Sequence, residues 1–434
     1  MEKSPRHFRA AHPLLFISSI LLAGLIFAKL FVQEQILLSI SETSYLLIVS
    51  LVLLQFIITR SSIGANTITI IHPNIKMIEG LVIYLILFSW GFLLFFITKE
   101  KNIFQIPYPK NFIDYCRDFV INKINTTIAS KEANAFAQSL LLGVKTDANK
   151  ELLNAYKQLG IIHIVAISGM HLEIIFKNIL RITQWLPRKK LFRVLELFIV
   201  LGSVWTYTLM AFASPSIVRA AVFFSIYYLG KFLEASSFTL NVIAGGILIL
   251  LLFDVKNMEN IGLQLSYAAV VGIHLLYPLL SKMLPMDNPI LVFLWNNLCI
   301  SIAAQLTTLP ILLYHFHQLS SLVLISNFIM VPLSTLLLYA IALLVITPNI
   351  IGLPKIIGQI IEKYIIGINN IISHLDALSI NRPLMISFGL GQVILFYLAV
   401  LLIYAWLYTK RSQWLLYLTG LFCCYFIIKL FSLP

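Results

Sequence analysis

Apolar runs long enough to cross a lipid bilayer follow one another from residue 12 to the C-terminus. About 20 consecutive apolar residues span the hydrocarbon core as a helix. Inside that core only helices and closed barrels satisfy their backbone polar groups. A barrel needs short strands of alternating character, and these runs are unbroken. The chain therefore reads as all-α, a polytopic helical integral membrane protein with about 11–13 transmembrane helices. Composition agrees: 59% of the 434 residues are hydrophobic and 11% are charged, against about 25% charged in a soluble domain.

Charge sets the expected orientation. Lys3, Arg6 and Arg9 precede the first run, which places the N-terminus in the cytoplasm. That run, "PLLFISSILLAGLIFAKLF", has no small-residue cleavage site behind it and reads as a retained helix. Residues 1–98 then hold three membrane helices, at about 12–32, 44–59 and 77–98. Residues 99–130 form an extracytoplasmic amphipathic segment, with Ile113, Cys116, Phe119, Val120, Ile121, Ile124 and Ile128 at roughly helical spacing. Such a helix lies on the outer membrane surface or packs on the bundle. Residues 131–160 read as two short helices broken at Gly143.

The chain is next expected to enter the membrane as one helix through "HIVAISGMHL". It leaves through a basic loop with Lys177, Arg181, Arg188, Lys189, Lys190 and Arg193, cytoplasmic by the same rule. Further spans are expected at about 194–212, 214–230, 238–253, 260–280, 290–312, 319–346, 386–408 and 413–432. The segment 355–376 either spans or lies in the interface. Residues 131–345 form a membrane core and 346–434 a C-terminal set of helices. The net charge of +13 fits cytoplasmic basic loops, and it fits a polyanionic substrate such as DNA. Cys116, Cys299, Cys423 and Cys424 make neither a CxxC pair nor a disulfide framework.

Polar groups at membrane depth are costly and face a cavity or a partner. Four clusters stand out. In "HIVAISGMHL", Ser168 and His171 share a face if the stretch is one helix, with His163 about 80° away; Gly169 lets another backbone approach. In "SPSIVRAA", Arg219 either snorkels outward or presents a fixed charge to an anion. In "NMENIGLQLSYAAVVGI", Gln264, Ser266 and Tyr267 lie near the start of a span; interhelical hydrogen bonding competes with substrate contact there. The fourth runs from Gln305 through Thr307, Thr308, Pro310, Tyr314, His315, His317 and Ser320 to Asn327 and Pro332. Pro310 and Pro332 are expected to bend or break their helices and free backbone carbonyls. This cluster reads as a pathway wall, with interhelical glue as its alternative.

Two chemistries compete with a pathway. A metal site needs converging ligands, yet no HExxH occurs and no carboxylate or cysteine sits beside the histidine pairs. An intramembrane serine hydrolase would use Ser168 with His171 or His315 as base. Against it, "AISG" stands where GxSG would, and a histidine three residues on points with the serine rather than across from it. No GxxxxGK[ST] occurs, so movement of a substrate needs a gradient or a partner motor.

These clusters, in this order, resemble the ComEC family of competence proteins, the inner-membrane DNA-uptake channel of naturally transformable bacteria. The resemblance runs through "LLLGVKTD", "LGIIHIVAISGMHLEII", "SPSIVRAA", "IGLQLSYAAVVGI" and "AAQLTTLPILLYHFHQLS" to "SNFIMVPLS". It implies a channel, not an enzyme, that carries single-stranded DNA into the cytoplasm, with no cofactor or metal. His163, Ser168, Gly169, His171, Arg219, Gln264, Ser266, Gln305, Pro310, His315 and Asn327 would line or shape its pore. Its partners would be single-stranded DNA, membrane lipid, and a separate DNA receptor, nuclease and cytoplasmic motor. Family members commonly carry an OB-like domain before the core and a metallo-β-lactamase-like domain after it. The expectation is a core-only member, without its own nuclease or ATPase domain. A permease for small solutes or lipids is the rival of another class.

Overall fold

The computed structural model describes residues 110–144, 150–165, 167–187, 189–233, 239–254, 257, 259–349, 352–378, 383–386 and 388–421, with Ser18, Ser19 and Leu22. The expected helices at 44–59 and 77–98, nearly all of 12–32, and the end of 413–432 lie outside these residues. The chain divides into two compact units. One comprises Met1–Pro107 and Ile226–Asn260; its described part includes α8, Thr239–Phe253.

The other comprises Tyr108–Ser225 and Ile261–Pro434. It opens with α1 (Lys110–Thr127), α2 (Lys131–Leu142), α3 (Lys150–Gln158) and α4 (Ile162–Val165). α5 (Gly169–Thr183) and α6 (Lys190–Met210) follow, then α7 (Pro215–Phe232), which belongs to this unit as far as Ser225. Next come α9 (Ile261–Leu280), α10 (Pro289–Phe316), α11 (Val323–Ile346), α12 (Leu353–Asp376) and α13 (Leu390–Thr409). The sheet content among the described residues is one antiparallel ribbon, β1 (Gln318–Ser320) against β2 (Pro383–Met385). The expected span at 319–346 therefore begins as this ribbon, and its helix starts at Val323. α6 from Leu191, α9, α10, α11 and α13 are long and apolar enough to cross a membrane. The protein is an all-α, multi-pass membrane protein.

The helices before α5 pack on the rest of the unit. Ser130 caps α2, accepting from the Ala133 N–H, and Gly143 ends it at φ 70°, a left-handed turn that glycine adopts without strain. This is the break expected at Gly143. α1 is amphipathic as expected: Ile113, Val120, Ile124 and Ile128 are buried. Phe119 departs from that set and is exposed with Phe112 and Tyr115, so the buried face is narrower than the spacing implied.

Polar clamps fix α1 at both ends. Arg117 donates from Nε to Met210 O at 2.9 Å and from Nη2 to Leu209 O at 3.1 Å. It thereby caps the carbonyl end of α6 with a cation, where the helix dipole favours one. The same guanidinium lies 4.1 Å from the centre of the Phe212 ring. Phe212 and Ala213 turn the chain from α6 into α7 at φ 57° and 46°, a left-handed pair of non-glycine residues that the surroundings must hold in place. Lys123 is buried, and its ammonium donates to Thr347 O at 2.9 Å and to Asn349 Oδ1.

The segment 355–376 lies within α12. It is amphipathic, burying Ile361, Ile365, Ile368 and Ile372 along one stripe. It packs against α1, α2, α3 and α11. A Cβ on Gly358 would sit 2.3 Å from Thr127 O, so only glycine allows that crossing. Glu362 accepts the Ala129 N–H at 2.8 Å, and Tyr156 Oη reaches Asn369 Oδ1 at 3.4 Å.

The prolines do not break their helices. α10 runs through Pro310 and α11 through Pro332. Pro332 lacks the N–H that Phe328 O would accept four residues back. Asn297 of α10 supplies the substitute, its Nδ2 donating to Phe328 O at 3.1 Å. Next to Pro310, the Tyr397 hydroxyl of α13 donates to Thr307 O at 2.9 Å. Of the expected bend or break, the break is corrected: both helices continue, and at Pro332 a neighbouring helix bonds the freed carbonyl.

Candidate functional site

The stretch "HIVAISGMHL" is not one helix. α4 ends at Val165, Ile167 and Ser168 are non-helical, and Ser168 is extended at φ −134° and ψ 172° as the N-cap of α5. A serine before a glycine is a strong helix-start signal, and it overrides the apolar run around it. The expected strip of His163, Ser168 and His171 along one helix is thereby overturned. His163 sits on α4 and is exposed, while His171 on α5 is 1% exposed.

Ser168 and His171 do meet, through a capping box. The Ser168 N–H donates to His171 Nδ1 at 3.0 Å, and Ser168 Oγ lies 2.8 Å from the same nitrogen. Histidine takes the place usually held by Glu or Gln. Because Nδ1 accepts a backbone N–H, the neutral ring carries its proton on Nε2. That Nε2 is buried with no hydrogen-bond partner.

From α5 a series of packing and hydrogen-bond contacts, with one electrostatic link, runs through the helices and returns to α5. Gly169 brings α5 onto α7: a Cβ there would stand 3.3 Å from Ala220 Cβ. Phe176 stacks on Phe224 at 4.7 Å along the same pair. Arg219 of α7 is in electrostatic range of Tyr267 of α9. α9 presses on α10 at Gly272, where a Cβ would lie 2.2 Å from Thr307 Oγ1 and 2.6 Å from Ala303 O. Asn297 joins α10 to α11 at Phe328 O. The Thr335 hydroxyl of α11 returns to Met170 Sδ of α5 at 3.8 Å.

Each helix of this cycle carries a buried polar atom with no hydrogen-bond partner. They are His171 Nε2 on α5, Arg219 Nε on α7, Tyr267 Oη on α9, Gln305 Nε2 on α10 and Asn327 Oδ1 on α11. Four are donors and one is an acceptor. Ser326 Oγ on α11 is in the same state. His171, Arg219, Gln305 and Asn327 were each singled out by sequence. Tyr267 was noted there only beside its neighbours. The signal for it is helical spacing, since Leu263 and Tyr267, four residues apart, share a buried face of α9.

Gln264, Ser266, Pro310 and His315 carry no such atom. Gln264 and Ser266 are half-buried. Pro310 is buried within α10. His315 is exposed at the end of α10, its ring edge-to-face with Tyr314 at 4.9 Å. Gly169 serves close packing rather than polar contact.

Four of the five atoms are donors, one belongs to a cation, and none is a carboxylate oxygen. As a catalytic pair, Ser168 and His171 are close enough for proton transfer, but the Nδ1 lone pair is already shared with a backbone N–H. The opposite nitrogen, which a third group orients in a triad, has no partner. Among the described residues no three His, Cys, Asp or Glu side chains converge in a way that would hold a metal ion.

A family profile described as competence protein matches residues 140–410, well over half of the chain. The chain belongs to the competence protein family. The matched residues include all five helices of the cycle, so the buried polar atoms lie in the competence region. ComE operon protein 3 of Bacillus subtilis (strain 168) is 26% identical over 345 residues, covering 78% of this chain and 42% of that protein. The chain thus spans less than half the length of this competence relative. No solved structure matches it.

Proposed function

We propose that the helix cycle α5–α7–α9–α10–α11 forms a wet path for one strand of DNA entering the cell during natural transformation. In this reading the chain is a channel component of the bacterial cytoplasmic membrane, with its N-terminus inside, and it carries out no covalent step on the strand. The observation that carries the reading is the set of buried polar atoms without partners, one on each helix of the cycle. An unsatisfied buried polar atom costs about 2 kcal/mol. Five together cost on the order of 10 kcal/mol, comparable with the whole stability of a domain. Such a set is kept where water or a substrate supplies the missing partners. Donors outnumber acceptors, and Arg219 adds a positive charge. That suits phosphate oxygens, which accept and never donate.

Motive force, capture of DNA outside and removal of the second strand belong to partners: a receptor, a nuclease and a cytoplasmic motor. The test is entry of labelled DNA into the cytoplasm, comparing wild type, a deletion, and the deletion complemented with His171→Ala. The deletion blocks entry, wild type restores it, and His171→Ala restores about a tenth or less, since one hydrogen bond to a charged group is lost. Insertion of the variant is followed separately by its level in membranes. Entry at the wild-type rate in the deletion strain overturns the reading in favour of small-solute transport. Wild-type entry with His171→Ala removes His171 from the path.

A further inference from the structure

The turn between α5 and α6 carries a run of cations. Residues 177–193 hold six Lys and Arg and no Asp or Glu. The flanking acids are already engaged: Glu173 pairs with Lys177 at 2.5 Å, and Glu196 accepts the Thr183 hydroxyl at 3.2 Å. Trp185 stands in this turn 90% exposed, with Arg181, Lys189 and Arg193 also exposed. A tryptophan of the membrane-interface belt sits at the edge of the apolar span. Here the span starts at Leu191, and Lys189 and Lys190 stand between it and the indole. In sequence the ring thus lies among cations outside the apolar span. α5 joins this turn to His171, a distance of about 20 Å along the helix.

We propose that this turn is a single-strand nucleic-acid platform where the strand leaves the path, resting on the reading of the path given above. Trp185 stacks on a base, and Arg181 and Lys189 hold neighbouring phosphates. Every base has a π-face, so the platform accepts any sequence, and its phosphate contacts make binding fall with salt.

The test uses the full chain in phosphatidylcholine nanodiscs, with labelled oligo(dT) followed by fluorescence anisotropy over a salt series. Trp185→Ala weakens binding about tenfold and leaves the salt slope unchanged. Trp185→Phe retains most of the affinity. Lys189→Gln weakens binding and lowers the salt slope by about 0.7, the share of one phosphate contact on a single strand. Oligonucleotide binding equal to wild type in Trp185→Ala and Lys189→Gln overturns the proposal. So does a Trp185→Ala effect confined to thermal stability in discs with anionic lipid, which would make the turn a lipid anchor. Uptake assays separate the two levels of inference. Loss of DNA entry in His171→Ala, with Trp185→Ala normal in both entry and oligonucleotide binding, removes the platform and keeps the path. Normal entry in both variants, and in the deletion, removes the path itself.

Discussion

Ser168 holds His171 by a backbone group as well as by its hydroxyl, and this separates two roles that look alike. If Ser168 were a nucleophile, its Oγ would be indispensable. If it is a cap, the N–H to Nδ1 contact at 3.0 Å survives its replacement by alanine and still fixes the proton of His171 on Nε2. Ser168→Ala then costs about 1 kcal/mol of helix stability, the usual value of a lost cap, and leaves DNA entry within about twofold of wild type. His171→Ala removes the buried donor and should block entry. The measurement is DNA entry with both variants side by side at matched membrane levels. Equal loss in the two would make the hydroxyl essential and revive the hydrolase reading. Arg219 falls under the same logic: the sequence left it between snorkelling and facing the path. Its Nε is buried without a partner, while the residue as a whole is half-buried.

Most helices were legible because their cause is local, and the departures were set by neighbours. Apolar length and turn residues sufficed for α2, α6, α7, α9, α10, α13 and the break at Gly143. The break expected at the prolines failed, because the sequence tells that an N–H is missing but not that Asn297 of another helix bonds the carbonyl freed by Pro332. The single helix through "HIVAISGMHL" failed because an apolar run has the same period on either side of a one-turn interruption, and Ser168 decided it. Close helix contact was legible only as the presence of glycine. Gly272 is the sharpest case, since its missing side chain is filled by Thr307 Oγ1 and by Ala303 O, a backbone atom that cannot turn aside. Gly272→Ala forces α9 and α10 apart and should cost about 2 kcal/mol, as overpacking does. Thermal unfolding of the purified protein in detergent reads this as a lowered midpoint. Gly202, with nothing within 4 Å of a Cβ, is the control. Gly202→Ala leaves the midpoint unchanged or raises it, since alanine is the better helix former.

The closed cycle of helices was not legible at all, because it is made of contacts between residues far apart in sequence. The motifs gave its members, α5, α7, α9, α10 and α11, without saying that the last returns to the first. That return rests on Met170 and Thr335, 165 residues apart, at 3.8 Å. It decides whether the polar atoms surround one path or lie along an open row. In a background without native cysteines, Met170→Cys with Thr335→Cys should join under a short bifunctional thiol reagent in intact membranes. The product remains one chain of altered gel mobility, independent of protein concentration, and either single cysteine gives none. If the cycle surrounds the strand, the join leaves α5 and α11 where they already stand, so DNA entry persists in the linked protein unless the two helices must part during transport. Entry that stops on linking and returns on cleavage of the linker would show that the α5–α11 seam opens as DNA passes. Absence of the linked species, with both cysteines reactive singly, would place α11 away from α5. The five polar atoms would then form a row along a groove, and the path would need another subunit to close it.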